Sequence, residues 1–256
     1  MNKIGQLLNK KQDKLLSIYF TAGFPALEST NEIINELEKS NVDLIEIGIP
    51  FSDPVADGPV IQFSNSTSIE NGMTLQKLFN QLDEIKNTSM IPKILMGYFN
   101  PILKYGVEEF CKSCYNVGVD GVIIPDLPIY EYENYYKDLF EKYGIHFIFL
   151  VSPQTSLERL QQIDSMSTSF IYAVSTNSTT GGKADLNLQA EYFNKLKSNL
   201  KRPFLIGFGV NDNESFSTAC NYANGAIIGS AFINALTKNG VLNKNIREFI
   251  NEIRLL

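Results

Sequence analysis

The chain has 256 residues, with 22 Lys and Arg against 28 Asp and Glu, a formal net charge of −6 and 44% hydrophobic residues. That balance excludes nucleic acid and an anionic membrane as default partners, since both attract basic surfaces. With no signal-peptide core and no apolar run long enough to span a bilayer, the expected compartment is the cytoplasm.

Residues 2–12 read as a short polar helix, and Leu16 to Phe20 as the first strand, ending in Thr21-Ala22-Gly23. Ser29 opens a helix in which Ile33, Ile34 and Leu37 fall at helical spacing. Val42 to Ile49 is an almost continuous apolar run, as in a strand covered on both faces. At mid-strand, flanked by Ile45 and Ile47, stands a carboxylate, Glu46. An unpaired buried charge is costly, so Glu46 is either ion-paired or protonated. The strand breaks at Gly48 and Pro50 into a loop carrying Asp53, Pro54 and Asp57, stiffened by its two prolines.

Helices follow at about Pro59–Glu70 and Thr74–Lys86, then a third strand from Pro92 to Phe99 that includes Tyr98. Cys111 and Cys114 lie mid-helix, where a CxxC has a structural role; a redox pair would open a helix after a strand, and a four-thiolate zinc site needs a second pair. The fourth strand, Val119 to Ile124, ends at Pro125-Asp126, and a helix runs from Glu131 to Tyr143. His146, the only histidine, begins the fifth strand (to Val151) and is expected as a packed, hydrogen-bonded core residue. One histidine excludes a His-rich metal site, and Ser-His-Asp chemistry elsewhere in the chain. A helix from Ser156 precedes the sixth strand, Phe170 to Val174, which holds Tyr172. A polar loop, Ser175 to Asp185, and a helix from Leu188 to Leu200 come next. The seventh strand, Pro203–Gly207, leads into Phe208-Gly209 and a helix to Tyr222; the eighth, Gly225–Ile228, leads into Gly229, a short helix at Ser230 and a last helix from Asn245.

Eight strands alternating with helices, without a composition shift, predict one α/β domain over 1–256. It is a single (β/α)8 TIM barrel with an extra N-terminal helix and a short helix after strand eight. A doubly wound open sheet is the alternative, but it would gather its chemistry at one switch point, whereas here it follows strands throughout the chain. Three adjacent strands end in small residues (Thr180-Gly181-Gly182, Gly207-Phe208-Gly209, Gly229-Ser230), which predicts a phosphate site built from backbone N–H groups and a helix N-terminus. No lysine ends a strand, no His–carboxylate cluster offers a metal, and no dinucleotide fingerprint is present. General acid–base catalysis by Glu46, Asp57 and Asp126 remains, without a metal.

The string Glu46-Ile47-Gly48-Ile49-Pro50-Phe51-Ser52-Asp53-Pro54-Val55-Ala56-Asp57-Gly58 resembles the signature of the tryptophan synthase alpha chain family, and the resemblance runs from Phe20-Thr21-Ala22-Gly23 to Gly229-Ser230. It implies retro-aldol cleavage of indole-3-glycerol phosphate to indole and glyceraldehyde 3-phosphate. Glu46 would act as acid–base residue, and Asp57 would bind the indole N–H. Phe20, Tyr98, Ile124, Tyr172 and Phe208 are candidates for the apolar wall. The resemblance further implies no cofactor in this chain, a PLP-dependent beta chain as partner in an alpha2beta2 assembly, and signalling through Asp53, Pro54 and the loop after strand six. One departure stands out: the usual S-R-x-G-V-T-G reads Ser175-Thr176-Asn177-Ser178-Thr179-Thr180-Gly181, with Thr176 in place of arginine. A stand-alone indole-releasing lyase, a non-catalytic activating subunit and, more remotely, a phosphosugar isomerase on the same barrel remain as alternatives.

Overall fold

The computed structural model describes residues 2–175 and 186–255. Its strands are β1 (Leu15–Thr21), β2 (Leu44–Gly48), β3 (Lys93–Met96), β4 (Gly121–Ile123), β5 in two runs (His146–Phe147 and Leu150–Val151), β6 (Ile171–Val174), β7 (Phe204–Gly207) and β8 (Gly225–Ile228). All pair in parallel, and the two runs of β5 occupy the two ends of the sheet order. The Ile148 amide donates to Val122 O of β4, and the Tyr172 amide of β6 donates to Phe149 O, both at 2.9 Å. One stretch of chain thus changes partner halfway along, and this closes the sheet into the (β/α)8 barrel. The change of partner is why the fifth strand is interrupted.

Period-two alternation sorts the strand residues into two layers. Leu15, Leu44, Ile94, Ile123, Ile148, Leu205 and Ile227 fill the barrel, with Ile4 of α1 (Lys3–Lys10) packed against them. Leu16, Ile18, Phe20, Ile45, Ile47, Val122, Ile206 and Ile228 face the surrounding helices. α2 (Ser29–Lys39) follows β1; α3 (Pro59–Glu70), with Pro59 in its first turn, and α4 (Leu75–Ile85), capped by Thr74, follow β2. After β3 come α5 (Phe99–Tyr105) and α6 (Val107–Val117). α5 stands where the sequence predicted the end of the third strand. It forms because the Asp126 carboxylate accepts from the Phe99 amide at 2.9 Å, satisfying an orphan donor at the helix start. Asp126 is exposed and committed to that bond, so it drops out of the acid–base candidates.

The helical stretch after β4 is α7 (Ile129–Glu131), a π-turn (Tyr132–Tyr136) and α8 (Lys137–Lys142). α9 (Leu157–Met166), α10 (Ala190–Asn199), α11 (Asn213–Tyr222), α12 (Ser230–Leu236) and α13 (Leu242–Arg254) complete the ring. Cys111 and Cys114 are free and buried within α6, and burial pushes both thiols up, so neither is a ready nucleophile. His146 is hydrogen-bonded, Nδ1 to Thr168 Oγ1 at 2.5 Å, but it is half-buried and not a core residue, because it opens β5 at the barrel floor. Among the described residues no helix is long and apolar enough to cross a membrane, and no cluster of His, Cys, Asp or Glu could hold a metal ion.

Candidate active site

Glu46 sits on β2 with its side chain inside the barrel and no exposed surface. Its β1 register partner is Tyr19 and its β3 partner Ile94. The Ser17 hydroxyl donates to Glu46 Oε1 at 2.8 Å, while Oε2 has no partner among the described residues. Among the described residues no cation pairs with Glu46, so of the two expected solutions the protonated acid is the one that fits. Burial raises the Glu46 pKa to about 8, with the Ser17 bond opposing, so the carboxyl is protonated at neutral pH.

Asp57 lies half-buried at the end of the loop after β2. Its amide donates to Pro54 O at 3.0 Å, and α3 starts two residues later. Tyr98, just past β3, donates its hydroxyl to Asp57 Oδ2 at 3.3 Å and accepts from the Ala56 amide at 3.0 Å. Burial lifts the Asp57 pKa to about 6 and the Tyr98 bond pulls it back down, so Asp57 is ionised at neutral pH. Asp53 and Pro54 lie further out on the same loop, and the adjoining Val55 is 88% exposed.

Two cavities open at the strands' C-terminal ends and share Tyr19, Asp57, Met96 and Phe208 as walls. One is largely apolar, with Ile49, Tyr98, Pro125 and Leu150, and is also lined by Asn65, 3% exposed, whose Oδ1 has no partner among the described residues. The other runs to Gly209, Asn211, Gly229 and Ser230 and is walled by Tyr172. Phe208 and Gly209 are consecutively left-handed, φ +71° and +73°, which for a phenylalanine is strained backbone of the kind found at functional sites. The Ser175 hydroxyl holds this turn by donating to Phe208 O at 3.2 Å.

Two tyrosines are seated by glycines. A Cβ on Gly48 would overlap the Tyr19 hydroxyl, and a Cβ on Gly207 would overlap that of Tyr172. In each case the glycine pairs with the residue two places after the tyrosine, Thr21 with Gly48 and Val174 with Gly207. The ring therefore lies across the neighbouring strand.

Of the predicted residues, the structure brings Asp57, Tyr98, Tyr172, Phe208, Gly209, Gly229 and Ser230 to the cavities, with Glu46 beside them in the barrel interior. Two wall residues need correction. Phe20 is fully buried against the helices, and its neighbour Tyr19 takes the cavity position; Ile124 likewise faces outward, and Ile123 joins the interior cluster with Tyr172 and Phe208. In strands buried on both faces the apolar pattern does not reveal the phase; pairing Tyr19 with Glu46 does. Met96, Ile61 and Asn65 were not anticipated, although Ile61 and Asn65, four apart on α3, share a face. Thr176, Thr180 and Gly181 lie outside the described residues.

The sequence profile of the family described as Tryptophan synthase alpha chain matches residues 6–254. A Tryptophan synthase alpha chain from Flavobacterium psychrophilum is 55% identical over 255 residues, covering 99% of this chain and all of that one. The crystal structure of tryptophan synthase subunit alpha from Legionella pneumophila superposes with a TM-score of 0.92 at 32% identity, over 100% of this chain and 98% of that one. A chain of M. tuberculosis tryptophan synthase in its aminoacrylate-bound form gives 0.87 at 27% identity, over 99% and 98%. On these matches, together with the barrel that carries Glu46 inside it and Asp57 at its mouth, the chain belongs to the tryptophan synthase alpha chain family.

Proposed function

We propose that this chain cleaves indole-3-glycerol phosphate to indole and glyceraldehyde 3-phosphate, as the alpha subunit of a tryptophan synthase. The observation that carries the mechanism is the unequal burial of two carboxyls: Glu46 has no exposed surface and one hydrogen bond, from Ser17, while Asp57 is half-buried and bonded to Tyr98, so burial lifts Glu46 to about 8 and Asp57 only to about 6. At neutral pH one is an acid and the other an anion, the division of labour that acid–base catalysis needs. Glu46 protonates indole C3, and the ring becomes an iminium-like electron sink. Asp57 accepts the indole N–H and stabilises the positive charge growing there. The glycerol hydroxyl next to the scissile carbon then returns a proton to the Glu46 carboxylate as the C–C bond breaks; its electrons re-form the indole and the hydroxyl carbon becomes the aldehyde. Glu46 ends as it began, and no external reductant or oxidant is involved.

The apolar cavity under Tyr98 and Leu150 accommodates the indole, and the Gly209, Gly229 and Ser230 end takes the phosphate through backbone N–H groups. Asp57 and Tyr19 stand where the two meet. The partner in this reading is a PLP-dependent beta chain in an alpha2beta2 assembly, with PLP held by that chain. The exposed Asp53-Pro54-Val55 loop, next in sequence to the Asp57 end, is a contact surface suited to coupling. The chain functions as one barrel domain, in the cytoplasm. The test is indole release from indole-3-glycerol phosphate by the purified chain, with and without a beta chain. Release that rises on adding the partner supports the subunit reading; equal rates favour a stand-alone lyase, and no release under either condition refutes the proposal.

A further inference from the structure

The interior layers of the barrel are almost wholly apolar near the floor, yet β1 places a serine there. Leu15 belongs to the interior cluster and Tyr19 walls the cavity, so Ser17, between them in the same alternation, faces inward. It is fully buried, and a buried hydroxyl without a partner is destabilising. Its hydroxyl donates to Glu46 Oε1 at 2.8 Å, the one hydrogen bond to that carboxyl among the described residues. Oε2 is equally buried and has no partner.

The two carboxyl oxygens are therefore not equivalent. A protonated carboxyl carries its hydrogen on one oxygen and uses the other as acceptor. Oε1 is engaged by the Ser17 hydroxyl, which leaves Oε2 as the oxygen open to a further partner. We propose that Ser17 is a positioning residue that engages Glu46 Oε1 and fixes the carboxyl in one orientation, so that Oε2 is the oxygen left to meet the substrate. This deepens the acid–base reading of Glu46 and rests on it. The same bond holds the side chain in one orientation and gives the carboxylate formed during the cycle a donor. Without the serine, neither carboxyl oxygen is anchored and the buried anion stands without a donor.

The ionisable groups facing Glu46 are Tyr19 from β1 and Tyr172 from β6, and both tyrosines also feel Asp57; β3 presents Ile94. Burial holds both hydroxyls well above their usual range and hence neutral, so neither supplies a counter-charge. Ser17 is the group that offsets the burial of Glu46.

The test uses the full chain carrying Ser17→Ala or Ser17→Thr. The carbonyl stretch of the protonated Glu46 carboxyl is followed by infrared difference spectroscopy against pH, with Glu46→Gln identifying the band. Ser17→Ala is expected to move the titration midpoint up by about one unit and to lower kcat about tenfold with KM little changed. Ser17→Thr, which keeps the hydroxyl, should restore both. An unchanged midpoint in Ser17→Ala, or an equal shift in both variants, overturns the proposal. The infrared titration needs no substrate, so it reports on Ser17 even if Glu46→Gln retains turnover, an outcome that would instead defeat the catalytic reading of Glu46.

Discussion

The Tyr98 hydroxyl makes two bonds to the loop after β2, donating to the Asp57 side chain at Oδ2 and accepting from the Ala56 amide, and so fastens that loop to the end of β3. Tyr98→Phe cuts both bonds and keeps the ring that packs on Phe51 at 5.1 Å. Because the Tyr98 bond lowers the Asp57 pKa, its loss raises that pKa above about 6. The acid limb of the kcat/KM profile should move to higher pH, and KM should rise as the loop loosens. A pH–rate profile identical to wild type would mean that the contact does not set Asp57.

Gly48 and Gly207 seat Tyr19 and Tyr172, so alanine at either position must tip a ring into the cavity. A displacement on the order of 1 Å near reacting atoms costs about 10²-fold in turnover. Gly48→Ala and Gly207→Ala should both lose activity by roughly that factor while keeping the barrel's circular dichroism. Retention of activity in both would mean that the tyrosines do not shape the site.

The phosphate end makes a separate prediction. Glycerol phosphate should compete with substrate, and Gly209→Val should weaken that competition, because a side chain blocks backbone approach and φ at +73° disfavours valine. A crystal soak that places phosphate away from Gly209, Gly229 and Ser230 would contradict the assignment.

Glu46 also writes a pH dependence into stability. Its folded pKa, about 8, lies above its unfolded value near 4.5, so the folded state binds more protons between the two. The group's stability contribution is full below about 4.5 and is lost as pH rises through about 8. Glu46→Gln removes that dependence. The variant should therefore melt at a higher temperature than wild type at pH 8, with the difference shrinking toward pH 5. A gap that grows toward acid would show that Glu46 is ionised in the folded chain.

The barrel was readable because strands buried on both faces and the residues that end them recur in order, and the acid pair was readable because a carboxylate in such a strand has few explanations. The errors have physical causes. Phe20 and Tyr19, like Ile124 and Ile123, are adjacent large side chains in two-sided strands, where only register distinguishes inside from outside. α5 depends on a cap from Asp126, 27 residues away in the chain. Asn65 is silent in sequence because what sets it apart is contact: its neighbours on α3, Ser64 and Ser68, bond to Thr21 and Ala22, whereas its own buried Oδ1 has no partner among the described residues.

The central claim is that the buried, protonated Glu46 performs the proton transfers. Its most direct test is single-turnover indole release from indole-3-glycerol phosphate by folded Glu46→Gln. Glutamine keeps the volume and the bond from Ser17 but has no acid proton to give. A loss of about 10²–10⁴-fold or more with substrate binding preserved is expected; turnover close to wild type would contradict this role of Glu46.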